Sequence, residues 1–156
     1  MSVRTIQPAP VRRSVTVKAP PERAFEVFTD GIGRWWPRSH HVGAAPMKGA
    51  VIEPRAGGRW YEVGEDGSQC DWGKVLVWEP PSRVVLAWQL NSRFRYDPTL
   101  VTEVEVRFTP EGEQTRVDLE HRNLERFGAD AEEMRGKIGG DNGWISVLGH
   151  FVAAIP

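Results

Sequence analysis

The sequence contains one cysteine, no long apolar run and no concentration of positive charge. Because Cys70 is alone, an internal disulfide is excluded, which is typical of a reducing compartment. The arginines near the N-terminus are not followed by the apolar core of a signal peptide. No segment approaches the roughly 20 apolar residues of a membrane-spanning helix. We therefore predict a cytoplasmic location and no membrane span.

Charge and motif spacing exclude several other classes of protein. The 20 basic and 21 acidic residues give a net charge of −1, and the basic residues are not clustered as nucleic-acid binding requires. His40 and His41 are adjacent and have no carboxylate or cysteine at ligand spacing, so they do not predict a zinc site. The glycines at 139, 140 and 143 do not follow a strand, so they do not predict a phosphate loop. We expect no metal, no cofactor and no nucleic-acid partner.

Tryptophan is the residue that the chain has in excess, with seven among 156 residues. Rings so large and stiff are difficult to pack at the density of a protein interior. Two interpretations follow, a core rich in aromatic rings or a cavity lined by indoles, and the sequence alone leaves both open.

The N-terminal quarter of the chain predicts one strand and two short helices. After a loose tail over residues 1–10, apolar and polar residues alternate over 11–18 and predict a strand. Residues 22–28 place apolar side chains at helical spacing and predict the first helix. The second short helix follows, with Thr29 and Asp30 as candidate caps, and Pro37 ends it. Residues 38–48 have no clear period and predict a loop.

From Gly49 to Arg122 the pattern alternates between strands and turns, and it predicts about six strands. Short turns make consecutive strands antiparallel neighbours, and the alternating pattern buries one face of each strand. For the two strands over 59–63 and 68–78 the apolar residues fall on both faces, so the pattern does not decide which face is buried. The other runs cover 83–90, 101–109 and 115–122.

The last third of the chain predicts a long C-terminal helix, and Asp130 with Glu133 resembles its capping pair. Three glycines interrupt this helix, which predicts a kink or a second helix with a new start near Asp141. The apolar residues at helical spacing are Met134, Ile138, Ile145, Leu148 and Val152. Together the elements predict one α+β domain over residues 1–156. In it a curved antiparallel sheet of six to seven strands wraps on the long C-terminal helix.

Five stretches, which together span nearly the whole chain, are similar to a known family. They are 19–37 (APPERAFEVFTDGIGRWWP), 53–61 (EPRAGGRWY), 71–81 (DWGKVLVWEPP), 83–88 (RVVLAW) and 143–148 (GWISVL). Their order and spacing resemble the chaperone-ATPase-activator-like (AHSA-type) single-domain bacterial branch of the SRPBCC superfamily. This superfamily has the helix-grip fold of START domains and the birch-pollen allergens. The resemblance implies a cavity between sheet and C-terminal helix that takes apolar ligands such as lipids or polyketides, and it transfers no fixed catalytic set.

His121 is the candidate catalytic residue. It is in phase with Val117 and Leu119 along its strand, so its ring is expected to point at the buried face. There a histidine can act as an acid or a base near neutral pH. The alternative is a hydrogen-bonded histidine at a strand end. The full set of predicted ligand-binding residues is Trp35, Trp36, Trp60, Trp72, Trp88, Phe108, Leu119, His121, Trp144 and Leu148.

The sequence pattern is less decisive for the residues at the rim of the predicted pocket. The second short helix and the loop after it, as far as Lys48, are expected to form one side. An inward carboxylate from Glu62 or Asp71 would orient a ligand, although a solvated position on the outer face is favoured for both. Arg55 and Arg59 either close the pocket mouth or form structural ion pairs, with Glu53 as the expected partner.

Three functions are compatible with these observations. The first is a carrier or sensor that binds a hydrophobic or aromatic small molecule, favoured by abundant aromatic rings and few inward ionisable groups. The second is a cyclase, dehydratase or hydrolase that uses His121 in the same cavity. The third is a protein-interaction module similar to the chaperone activators. A homodimer is compatible with each of them.

Overall fold

The computed structural model describes residues 8–156, so most of the predicted tail over residues 1–10 lies outside the described residues. The first half of this range contains β1 (Val11–Val17), α1 (Pro21–Thr29), α2 (Ile32–Trp35), β2 (Met47–Ile52), β3 (Arg59–Gly64) and β4 (Gln69–Glu79). The second half contains β5 (Arg83–Trp88), β6 (Thr102–Glu111), β7 (Gln114–Arg122), a 3₁₀ helix (Leu124–Asp130), α3 (Ala131–Gly139), a π-helical turn (Asp141–Ile145) and α4 (Ser146–Ala154). Most strand boundaries match the prediction within two residues. The largest differences are two residues: the predicted loop ends early because β2 starts at Met47, β5 ends early at Trp88, and β6 ends late at Glu111.

The strands form one curled antiparallel sheet in the order β1-β7-β6-β5-β4-β3-β2. The first two strands of the sequence therefore lie at opposite edges, and α1 and α2 connect them. The C-terminal helical segments cover the concave face, where the regular alternation of β6 and β7 places Val106, Phe108 and Leu119 in the core. The predicted α+β helix-grip architecture is confirmed.

Two β-bulges explain why the sequence pattern of the fourth strand was undecided, whereas the third strand alternates regularly and buries the polar Glu62. Trp60 pairs with Gly73 and Tyr61 pairs with Asp71, so Trp72 is an extra residue on β4. Farther along, the register between β4 and β5 shifts again at Leu76. Each bulge adds one residue and reverses the phase of the side chains that follow. As a result Trp72 is buried, while Leu76 is 38% exposed.

The predicted side-chain caps of the helices are wrong. The N-cap of α2 is Gly31, and the Thr29 hydroxyl instead donates to the Phe25 carbonyl oxygen inside the core. Asp130 does stand at the N-cap of α3, but its carboxylate accepts a hydrogen bond from the Ser92 hydroxyl at 2.7 Å rather than from the helix backbone. Tertiary contacts therefore use side chains that local sequence assigns to capping.

The C-terminal helix is broken where its glycines occur, and two helical halves result. Gly140 is extended (φ −82°, ψ −175°) and Gly143 is also non-helical (φ −92°, ψ −134°). We call residues 140–145 the helix break. Because the break changes the rotational phase of the helix, Ile145, which was predicted on the buried stripe, is 46% exposed. Among residues 8–156 no helix has the length and apolar character needed to cross a membrane.

Candidate functional site

A cavity of about 570 Å³ opens between the concave face of the sheet, the loop after α2 and the helix break. We call it the helix-break cavity. Its volume lies within the range of pockets that enclose a drug-sized molecule. Its lining residues are Trp36, Ser39, His40, His41, Val42, Trp72, Trp88, Leu90, Phe94, Gly136, Lys137, Ile138, Gly140, Asp141, Asn142, Gly143, Trp144 and Val147.

Glycines in α3 and in the helix break leave room for this cavity because they present backbone where other residues would present side chains. Three of the lining positions, Gly136, Gly140 and Gly143, carry none. At Gly143 a Cβ atom would lie 2.2 Å from the Ile138 carbonyl oxygen, so the break requires glycine there. The interrupted glycine pattern of the sequence thus marks one wall of the cavity.

Four tryptophans form the apolar wall of the cavity. The ring centroids of Trp36 and Trp72 are 5.0 Å apart, those of Trp36 and Trp144 6.0 Å, and those of Trp88 and Trp144 5.6 Å. Such spacings are typical of tilted and edge-to-face aromatic pairs. Both interpretations of the tryptophan excess therefore apply, since some indoles line a cavity and others form core.

The remaining predicted ligand-binding residues are buried in the core and do not line the cavity. Trp60 is fully buried, with its ring 5.5 Å from that of Trp72 and 5.8 Å from that of Trp88. Alternation along a strand predicts that a side chain faces inward, but it does not tell how deep in the interior the side chain lies. The predicted ligand-binding residues that do not line the cavity are Trp35, Trp60, Phe108, Leu119, His121 and Leu148.

His121 is buried beneath the wall and hydrogen-bonded through both ring nitrogens. The indole N–H of Trp144 donates to Nδ1 at 3.1 Å, so Nδ1 carries no proton and Nε2 does. Nε2 lies 2.7 Å from the Thr102 hydroxyl, which in turn donates to the Trp88 carbonyl oxygen at 3.3 Å. Burial lowers the pKa of His121 to about 3, so the ring is neutral near pH 7. The geometry holds two tryptophans of the cavity in place and leaves neither nitrogen directed at the cavity.

Glu62 is buried, contrary to the solvated position that was favoured for it. Only 1% of the residue is exposed, and three donors surround its carboxylate. These donors are the backbone N–H of Val42 at 2.5 Å, the backbone N–H of Gly43 at 3.1 Å and the indole N–H of Trp72 at 2.9 Å. A buried carboxylate is tolerated when such donors compensate its lost hydration. Glu62 therefore fixes the loop after α2 against the sheet.

Two adjacent histidines in this loop lie on the cavity rim, and sequence reasoning considered them only as metal ligands. His40 Nε2 donates to the Asn142 carbonyl oxygen at 2.5 Å, which joins the loop to the helix break, and its Nδ1 accepts from the Ser39 hydroxyl at 2.9 Å. His41 Nδ1 donates to the Gly43 carbonyl oxygen at 2.8 Å. In the sequence, only the absence of a periodic pattern over the 11 residues of this loop indicated a functional role. The expected position of the loop at the rim agrees with the structure.

Phe94 stands at the mouth of the cavity with a left-handed backbone conformation (φ 56°). The Asn91 side-chain oxygen accepts from the backbone N–H groups of Arg93 and Arg95 and closes the turn that holds Phe94 in this conformation. The Lys137 ammonium lies 5.9 Å from the Phe94 ring centroid. A bulky residue at positive φ is strained, and such strain concentrates at ligand-binding sites.

The two arginines proposed for the pocket mouth lie away from the cavity. Arg59 forms an ion pair with Asp71 at 2.8 Å and Arg55 one with Glu53 at 3.3 Å. The structural alternative is therefore observed for both, although the expected partner, Glu53, ion-pairs only with Arg55. Asp71 is partly exposed, as favoured from the sequence.

Comparison with known proteins identifies similar chains over nearly the full length. The family model described as Activator of Hsp90 ATPase homolog 1-like protein matches residues 18–155. No curated protein sequence matches the chain. The match to the family model covers every element from α1 to α4, so it includes all residues of the cavity.

Solved structures of similar fold include two with substantial sequence identity. The anthrahydroquino-gamma-pyrone synthase Txn09 is 37% identical, the alignment covers 92% of this chain and 95% of that one, and the TM-score is 0.65. CalC, a self-sacrificing resistance protein from Micromonospora echinospora, is 38% identical. The alignment covers 94% of this chain and 93% of CalC, and the TM-score is 0.68. Protein MLL2253 from Mesorhizobium loti shares the fold, with a TM-score of 0.67. It is 21% identical, and the alignment covers 93% of this chain and 95% of that one.

Proposed function

We propose that this chain, which belongs to the Activator of Hsp90 ATPase homolog 1-like family, binds a flat aromatic small molecule in the helix-break cavity as a carrier or sensor. The family and the fold support a role in ligand binding or in cyclase-type chemistry. The observation that carries the narrower proposal is the set of four indoles, Trp36, Trp72, Trp88 and Trp144, around one cavity of about 570 Å³.

The chemistry of this wall favours an aromatic ligand. Indole rings present large apolar faces and interact with other rings in offset or edge-to-face arrangements, each pair adding about 0.5–1.5 kcal/mol beyond the burial of area. The polar side chains other than the indoles lie on the loop after α2, on the helix break and, at Lys137, near the end of α3, where they can orient the ligand. The name of Txn09, a synthase of an anthrahydroquinone-pyrone, points to fused aromatic rings for a chain that is 37% identical.

In this proposal His121 positions the wall and transfers no proton. Its ring is fully buried behind Trp88 and Trp144, and both nitrogens already have hydrogen-bond partners. A general base must reach the proton that it abstracts, directly or through one water. The support for binding is thus stronger than the support for catalysis by this residue.

The proposal can be tested with a variant whose added side chain occupies the cavity. Gly136 lines the cavity on α3, and a Cβ added there meets no atom within 4 Å, so Gly136→Leu adds a side chain at the cavity from a position whose Cβ is unobstructed. Gly149→Leu is the matched control, because that glycine lies on α4 outside the cavity with equally free space. The ligand probe is 2-hydroxyanthraquinone, followed by quenching of tryptophan fluorescence and by thermal unfolding.

We expect the probe to quench fluorescence of the wild type and to raise its Tm. At a hundred times Kd the rise should be about 5–10 °C, since such saturation adds about 2.7 kcal/mol. Gly149→Leu should behave as the wild type, and Gly136→Leu should lose at least about tenfold in affinity. Equal affinity of the two variants, or no response to the probe, would contradict the proposal.

A synthase or cyclase is the second candidate, favoured by the similarity to Txn09. It would draw its polar groups from the rim of the cavity, where His40, His41 and Asp141 lie. Mass spectrometry of the probe after prolonged incubation separates the two candidates. An unchanged mass and isomer pattern supports the carrier or sensor, and multiple turnovers of a chemically altered product support the enzyme.

A further inference from the structure

We infer that His41 determines ligand specificity by accepting a hydrogen bond from a phenolic hydroxyl through Nε2. The inference rests on the proposed function and narrows its ligand class to hydroxylated fused aromatics. His41 lies on the cavity rim, one residue from the His40 contact that joins the loop to the helix break.

The hydrogen bond of Nδ1 determines the tautomer of His41 and therefore which ring nitrogen can accept a hydrogen bond from a ligand. Nδ1 is 2.8 Å from the Gly43 carbonyl oxygen, and a carbonyl oxygen only accepts, so Nδ1 carries the proton. In the neutral ring Nε2 then holds a lone pair. Within residues 8–156 no side chain or backbone group is hydrogen-bonded to it. A phenol donates its hydroxyl hydrogen to such a nitrogen, whereas an aryl methyl ether cannot.

The backbone that orients His41 is itself held by the sheet. The Glu62 carboxylate on β3 accepts hydrogen bonds from the backbone N–H groups of Val42 and Gly43. The indole N–H of Trp72 also donates to this carboxylate and orients it. A Cβ on Gly43 would lie 3.2 Å from a carboxylate oxygen of Glu62, so glycine permits this close approach. A recognition group is effective when its supporting contacts hold it before the ligand arrives.

Within residues 8–156, the other polar side-chain groups around the cavity are hydrogen-bonded or ion-paired, apart from those of Asp141 and Asn142 and the indole N–H of Trp88. His40 uses both ring nitrogens, and the Lys137 ammonium pairs with Glu133 at 3.2 Å. Asp141 and Asn142 are exposed at the helix break, and the Asp141 carboxylate is the stronger competing acceptor for a hydroxyl because it is charged. A test of His41 therefore needs Asp141 as its comparison.

A matched pair of ligands and two variants test the inference. The ligands are 2-hydroxyanthraquinone and 2-methoxyanthraquinone, which differ in the ability to donate. We expect the wild type to bind the hydroxyl compound about 3- to 10-fold more tightly, as one neutral hydrogen bond allows. His41→Phe keeps a ring of similar size and should bind both compounds with nearly equal affinity. Asp141→Asn should retain the wild-type preference.

Each outcome separates the inference from the proposed function. If neither compound binds the wild type, the proposed function fails and the inference with it. If both bind the wild type equally, or His41→Phe keeps the preference, or Asp141→Asn removes it, the proposed function stands and the role of His41 is overturned. Thermal unfolding without ligand shows that the variants fold, as expected for two exposed positions.

Discussion

The indole N–H of Trp144 donates to Nδ1 of His121 across 3.1 Å, and this bond connects the helix break to the C-terminal end of β7. His121 passes the connection on to Thr102 of β6, whose hydroxyl donates to the Trp88 carbonyl oxygen. Two tryptophans of the cavity wall are thereby held by one neutral imidazole. The properties of this buried ring can be measured without knowing the ligand.

The stability of the folded chain should fall as the pH decreases from about 6.5 toward about 3. Burial lowers the pKa of His121 to about 3, whereas an exposed histidine titrates near 6.5. Between these values the unfolded chain binds the extra proton, so acid favours unfolding. From pH 8 to pH 5 this residue should remove about 2 kcal/mol from the free energy of unfolding, as measured by urea denaturation at each pH.

His121→Asn is the control, because it removes the titrating group from both states. The variant should start less stable at pH 8, since the Trp144 N–H and the Thr102 hydroxyl lose a partner. Its loss between pH 8 and pH 5 should be smaller than that of the wild type by about 2 kcal/mol. Parallel curves for the two proteins would show that His121 is not the source of the acid sensitivity.

Glu62→Gln should destabilise the chain by about 2 kcal/mol. The glutamine has one acceptor oxygen for the three N–H donors that now surround the carboxylate, and its own N–H₂ group faces them. Asp71→Asn is the matched control in the adjacent strand, where a half-exposed ion pair with Arg59 contributes less than about 1 kcal/mol. Urea denaturation midpoints measure both, and equal losses would refute the central role of Glu62.

Gly143→Ala and Gly149→Ala should have opposite effects on stability. At Gly143 the added methyl group meets the carbonyl oxygens of Ile138 and Lys137 at 2.2 and 2.6 Å, which should cost at least about 2 kcal/mol. At Gly149 it meets no atom within 4 Å inside α4, where alanine is favoured over glycine by about 1 kcal/mol. Thermal unfolding should therefore give a lower Tm for the first variant and a higher one for the second.

Phe94→Gly should separate stability from binding. Glycine adopts the left-handed conformation of residue 94 freely, which relieves about 1–2 kcal/mol of strain and offsets its entropic cost. The unfolding free energy should therefore stay within about 1 kcal/mol of the wild type. Affinity for the anthraquinone probe should fall, because an aromatic ring leaves the mouth of the cavity. Unchanged affinity would show that Phe94 makes no contact with the ligand.

The sequence predicts the sheet well where alternation is regular and poorly where bulges occur. Along β7, Val117 and Leu119 indicate the buried face, and His121 follows in phase as expected. In β4 the extra residue at Trp72 and another at Leu76 reverse the phase twice. A bulge depends on the partner strand, so the sequence of one strand does not reveal it.

Four of the predicted tryptophans line the cavity, but the sequence favoured a solvated position for Glu62 and suggested only metal binding as a role to consider for His41. The roles of Glu62 and His41 depend on backbone groups of Val42 and Gly43, which no periodicity encodes. The depth of His121 also depends on packing, since Trp88 and Trp144 cover it from two elements distant in sequence. Hydrogen bonds that cross between a loop and a sheet become visible only in three dimensions.

The pairing of β1 with β7 has a consequence for the order in which the chain folds. Val11 pairs with His121, so a segment of about 110 residues must be gathered before the first strand finds its partner, whereas β6 and β7 meet through a short turn. During synthesis the first strand stays unpaired until most of the chain has left the ribosome. Distant pairings of this kind slow folding, and closure of β1 onto β7 is the natural late step.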